Sequence, residues 1–132
     1  MTNDKAQMPN QAQRPNDKKK YDLEERTAQF GEAIIQLVKT FPQDAVNKPL
    51  ITQIVRAGTS IGANYVEADG AASKKDFQHK ISICKKESKE TKHWLRMMAK
   101  ANSSRWDECQ KLSSEAQELS LIFSSILLRK KE

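Results

Sequence analysis

Glycine and proline are scarce in this chain, four of each in 132 residues, and three of the prolines fall before residue 43. Strands and their turns need more punctuation than that, so a β-rich fold is excluded and long uninterrupted helices are left. Long hydrophobic runs are missing too. The greasiest stretch, residues 119–128, is interrupted by three serines and is about half the ~20 residues that a bilayer span requires. Residues 1–20 lack the apolar segment of a signal peptide. Cysteine is limited to Cys84 and Cys109, both at apolar helix positions, which fits buried thiols in a reducing compartment. These absences point to a soluble cytoplasmic protein with no membrane partner. There is also no glycine-rich phosphate loop, catalytic-triad pattern or paired-carboxylate site.

What is present is helical periodicity. Residues 51–69 organise the rest: Ile51, Ile54, Gly58, Ile61, Tyr65 and Ala68 recur at steps of three and four, the repeat of a helix face that packs on other helices. Beside them runs a polar stripe, Arg56, Ser60, Asn64 and Glu67, whose members need partners. Residues 1–20 hold too little apolar material to offset ordering entropy and read as a disordered tail. Lys18, Lys19 and Lys20 read as a solvated approach to the first helix.

That helix is predicted to begin near Asp22, where Asp22 and Glu25 have capping-box spacing, and to end at Pro42. Its face is Leu23, Phe30, Ile34, Leu37, Val38 and Phe41. A short connection through Asn47 leads to the second helix, which Gly70 breaks. Ser73 and Asp76 offer a capping box for a third helix reaching about residue 101, with a seam of Phe77, Ile81, Cys84, Ser88, Thr91, Leu95 and Met98. After a turn at residues 102–104, the fourth helix carries Cys109, Leu112, Ala116, Leu119, Phe123 and Ile126 on the same repeat. The pattern predicts one domain over residues 21–132: an all-α, antiparallel up-down-up-down four-helix bundle.

Hairpin arithmetic then locates partners. A turn centred near residues 71–72 sets Arg56 level with Glu87 and one turn from Glu90. Arg56 is expected to pair with one or both, with Ser60 and Asn64 adding hydrogen bonds along the seam, a structural polar lock. Truncating Arg56 would cost ~3 kcal/mol or more if the pair is buried. The same arithmetic leaves Cys84 and Cys109 ~18 Å apart along the axis, too far for a disulfide. Glu90 and His93 have the Glu-x-x-His spacing of di-iron bundles, but the other histidine, His79, lies on the same helix, so the ligand count fails. No metal, cofactor or catalytic residue is expected, and the chain does not read as an enzyme.

Charge is uneven along the chain. Of 23 basic and 17 acidic residues, nine basic and three acidic ones lie between Lys74 and Lys100, so this one helix holds the whole net excess of +6. Lys85, Lys89, Lys92, Arg96 and Lys100 form a ridge on it, a candidate for phosphate contacts. Apolar surface is also in surplus. Ile83, Trp94 and Met97 lie off the third seam, and Trp106, Leu121, Ile122 and Leu128 off the fourth. The first three read as an oligomer interface with Trp94 as anchor. Two functions compete: nucleic-acid binding through the ridge, and a protein adaptor or scaffold whose positive charge serves solubility.

Three segments, YDLEERTAQFGEAIIQLVK, RAGTSIGANYVEA and SKKDFQHKISICKKESKETKHWLRMM, with the leucine-rich last helix, make residues 21–131 resemble the bacterial four helix bundle protein family. Its members are also called 23S rRNA intervening sequence proteins and are related to the accessory variability proteins of retroelements. The resemblance implies a ring-shaped homopentamer without established enzymatic activity. It also implies nucleic acid, RNA or DNA, and a reverse transcriptase as candidate partners. The matching positions are Arg56, Ser60, Asn64, Glu67, Glu87, Glu90, Thr91 and Trp94.

Overall fold

A computed structural model describes residues 15–131, with side chains over 23–129. Four helices follow one another: α1 (Pro15–Val38), α2 (Asn47–Asp69), α3 (Lys74–Ala101) and α4 (Trp106–Lys131), with a 3-10 turn at Ser103–Arg105. No strand occurs among the described residues. Successive helices pack side by side and α4 returns to α1, which closes an up-down-up-down bundle. The expected fold class is therefore present.

The seams read from periodicity form one core. Phe30, Ile34, Ile54, Ile61, Ile81, Leu95, Met98, Leu119 and Phe123 are all buried in it. Helices α1 and α2 approach closely because Gly58 faces Ile34 and Gly62 faces Thr27. A Cβ on Gly58 would sit 3.0 Å from Ile34 Cγ1, so a side chain there would push the two helices apart. Cys84 and Cys109 are free and buried. Burial pushes the Cys84 thiol up to about 12 and the Cys109 thiol up to about 11. Cys84 Sγ donates to Ile61 O at 3.4 Å, so one thiol is spent on joining α3 to α2.

Two features depart from the sequence expectation. Helix α1 begins at Pro15, ahead of the expected start at Asp22. Proline suits a first helical position, because its fixed φ and missing N–H cost nothing there, and no residue from Pro15 to Asp22 is incompatible with a helix. The expected tail thus overlaps α1 at residues 15–20, and residues 1–14 of it lie outside the described residues. The second feature is at the opposite end of the chain's first hairpin. Asp44 Oδ1 accepts from the amides of Val46 at 3.1 Å and Asn47 at 2.8 Å, which starts α2. Ser73 caps α3 as expected, its Oγ accepting from Asp76 N at 3.0 Å.

Asn47, only 1% exposed, then ties the two loops at this end together. Its Nδ2 donates to Pro42 O at 2.9 Å and to Asn102 Oδ1 at 3.0 Å. Asn102 Nδ2 donates back to Asn47 Oδ1 at 2.9 Å and to Met98 O at 3.0 Å. Both amides are nearly saturated, so removing one leaves buried groups unmatched. Asn47→Ala is expected to lower stability by about 2–3 kcal/mol, read as a drop in the urea midpoint at unchanged slope; an unshifted midpoint would show that the amide pair is idle.

Candidate nucleic-acid interface

The five ridge residues lie along the flank of α3 that borders α4. Lys92 fixes this, since its Nζ donates to Gln117 Oε1 of α4. Lys89, Arg96 and Lys100 are exposed, while Lys85 and Lys92 are half-buried beside α4. Among the described residues none of the five has a carboxylate partner. Their charges face solvent uncancelled.

The reason is where the nearby acids go. Glu87 and Glu90 turn to the other flank of α3, toward α2, where Arg56 Nη1 lies 3.5 Å from Glu87 Oε2 and Nη2 lies 2.7 Å from Glu90 Oε2. All three glutamates of α4 are also taken by arginines off the ridge. Arg26 of α1 reaches Glu115 at 2.6 Å and Glu118 at 2.7 Å, and Arg105 holds Glu108 at 3.1 Å. A fourth pair, Lys80 to Glu67 at 2.7 Å, links α3 to α2. These glutamates are thereby spent on other faces of the bundle, and no ion pair among the described residues reaches the ridge.

The polar lock is smaller than expected. Arg56 does meet Glu87 and Glu90, but Ser60 and Asn64 make no bond across the seam. Ser60 Oγ donates to Arg56 O at 2.6 Å, and Asn64 Nδ2 donates to Ser60 O at 2.9 Å, both within α2. Short polar side chains on a helix find the carbonyl one turn back before they find a neighbouring helix. Arg56 is itself half-exposed, its side chain 49% accessible against 7% for Glu87. Glu87 Oε1 is buried without a partner. Glu90 is better served: a bond from Trp94 Nε1 at 3.1 Å, and then Arg56, hold its carboxyl below the usual range.

Of the expected interface residues, Ile83, Trp94 and Met97 are all half-buried. They share the α2-facing flank of α3 with Glu87 and Glu90, and Trp94 already stacks edge-on against His93. Glu90 and His93 do not converge on a metal position, since Glu90 is bound by Arg56 and Trp94 while His93 is exposed. Among the described residues no group of three potential ligands forms. Periodicity gave no sign of the Arg26 fork to Glu115 and Glu118. The signal was the lone arginine on α1 one step off its seam, legible only once α1 and α4 are known to touch.

A family model described as 23S rRNA-intervening sequence protein matches residues 19–125. Among solved structures, the chain is similar to a protein of unknown function from the S23 ribosomal protein family of Bacteroides thetaiotaomicron. The two share 30% identity with a TM-score of 0.71, over 79% of this chain and 96% of that one. A search of curated proteins finds no match.

Arg56→Ala tests the lock. With Arg56 half in water, the expected loss at neutral pH is about 1–2 kcal/mol, below the figure for a buried pair. A lowered carboxyl stabilises the fold above its ordinary pKa and stops doing so as pH falls through the lowered value. The gap between wild type and variant should therefore shrink in urea titrations as pH falls below the ordinary carboxylate range. A gap that stays constant with pH would mean that the loss is one of packing.

Proposed function

Because the chain belongs to the family of 23S rRNA-intervening sequence proteins, we propose that it is a non-enzymatic, oligomeric bundle that binds nucleic acid or a nucleoprotein through the α3 ridge. The observation that carries this reading is the five uncancelled cations Lys85, Lys89, Lys92, Arg96 and Lys100 on one flank, with every neighbouring glutamate engaged elsewhere. Phosphates on such a ridge displace counterions, which gives affinity without a built pocket. RNA and DNA are both served by this chemistry, and a reverse transcriptase carrying either is a fitting protein partner.

Self-association belongs to the other flank. Ile83, Trp94 and Met97 flank Glu87, whose Oε1 has no donor among the described residues. A second copy seated there would cover apolar surface and leave the ridge free. A ring of five is the assembly that the family resemblance favours. A second reading, a protein adaptor that never touches nucleic acid, draws on the exposed Trp106, Leu121 and Leu128.

Salt separates the two readings. Binding to a mixed RNA and DNA pool is expected to weaken steeply with salt, and Lys89→Ala with Arg96→Ala should flatten the log–log slope by about two. An unchanged slope, or no retention at low salt, refutes the nucleic-acid reading. For assembly, light scattering after size exclusion should give a multimer at micromolar concentration, and Trp94→Ala should shift it toward monomer. A wild-type monomer there refutes self-association.

A further inference from the structure

We propose that the groove between α3 and α4 takes single-stranded nucleic acid, its phosphates along the ridge and its unpaired bases over Trp106, Leu121 and Leu128. This rests on the reading of the ridge given above and names the form of ligand that the groove accepts.

The ridge has a second half that phosphate binding alone leaves unused. On α4, Trp106, Gln110, Gln117, Leu121, Ser124 and Leu128 are spaced by sums of threes and fours, so they share one flank. The Lys92 to Gln117 bond identifies that flank as the one bordering the ridge. None of these six side chains on it is charged. Three of its members are large apolar side chains left in solvent, Trp106 at 53%, Leu121 at 58% and Leu128 at 64% exposed. The groove is thus lined by cations on one wall and by an indole and two leucines on the other.

A ligand that matches both walls has a regular row of anions on one edge and open apolar faces on the other. A duplex fails this match. Its bases are stacked on each other, so it offers sugar and phosphate to a helix flank, and the apolar wall stays wet. An unpaired strand satisfies both, because phosphates track a cationic row while each base has a π face free for an aromatic or aliphatic surface. The geometry agrees. From Lys85 to Lys100 the ridge runs nearly straight for ~22 Å at ~1.5 Å per residue, with a charge every turn or so. A single extended backbone can follow such a line, whereas the strands of a duplex wind away from it.

The test uses the full chain and a labelled RNA of about 12 nucleotides, alone and annealed to its complement, followed by fluorescence anisotropy at low salt. The single strand should bind at least ~tenfold more tightly than the duplex. Trp106→Ala with Leu121→Ser, both at exposed positions, should remove about that factor for the single strand and leave duplex affinity unchanged. Circular dichroism melting confirms that the variant is folded. Equal affinity for the two forms, or an unaltered preference in the variant, overturns the proposal while the ridge reading stands. Failure to bind either form overturns both. Displacement of the RNA by a glutamate- and leucine-rich helical peptide, without any single-strand preference, gives the groove to a protein partner and overturns the proposal as well.

Discussion

Helix α3 packs on α2 along one flank and on α4 along the other, and every charge it carries has to fit in the arc that remains. Its seam of Ile81, Cys84, Ser88, Thr91, Leu95 and Met98 is buried throughout. Small residues in that seam let two neighbours approach at once, and the hydroxyls are satisfied at home: Ser88 Oγ donates to Cys84 O at 2.8 Å and Thr91 Oγ1 to Glu87 O at 2.7 Å. With the hydroxyls closed onto the helix itself, Glu87 Oε1 is the one buried side-chain polar atom left without a partner among the described residues.

The remaining arc is divided by charge. The two glutamates fall toward α2, as does Lys80, and the ridge lysines toward α4, a consequence of placing Glu87 and Glu90 one step before the core positions and Lys85, Lys89 and Lys92 one step after them. Each flank then acquires a different surface chemistry from the helix it borders. On the α2 side, Arg56, Glu90 and Trp94 form a fixed cluster. On the α4 side, an uncharged row of side chains leaves the ridge cations without a carboxylate partner among the described residues. One periodic helix thus produces two unlike faces without any loop or insertion.

The fold was legible because seams repeat: the six residues expected on the face of α1 are all buried, although the helix ends at Val38 ahead of the expected Pro42 and leaves Phe41 just beyond it, and most buried positions of α2, α3 and α4 follow steps of three and four. The Arg56 pairing was legible for the same reason, since a short Gly70 turn makes the register of α2 and α3 a matter of counting. What counting could not reach lies where two elements meet without being consecutive. The amides of Asn47 and Asn102 are 55 positions apart, and each alone looks like an ordinary loop asparagine. Thr27, 1% exposed, looked polar and was passed over, yet it lies in the seam and donates to Glu24 O at 3.1 Å. Ser60 and Asn64 were misjudged because spacing reveals the side of a helix and not whether a short side chain reaches past its own backbone. For the ridge, composition supplied the row of cations, but that they are unopposed depends on where six glutamates point.

The asparagine clasp also makes the two ends of the bundle mechanically unequal. At one end two reciprocal amide bonds hold the two hairpins to each other, and two more tie each asparagine to its own hairpin. At the other, the α2–α3 turn closes through the backbone bonds of Gly70 N to Val66 O at 3.3 Å and Ala71 N to Ala68 O at 3.0 Å, with Ser73 Oγ capping α3. Away from the clasp the hairpins are joined by part-exposed ion pairs, Lys80 to Glu67 and Arg26 to Glu115 and Glu118, which yield more readily than a buried amide pair, so local opening is expected to favour the Gly70 end over a hinge at Asn47 and Asn102. A hinge at that position lets the helices splay at one end by small amounts while their register at the other is kept.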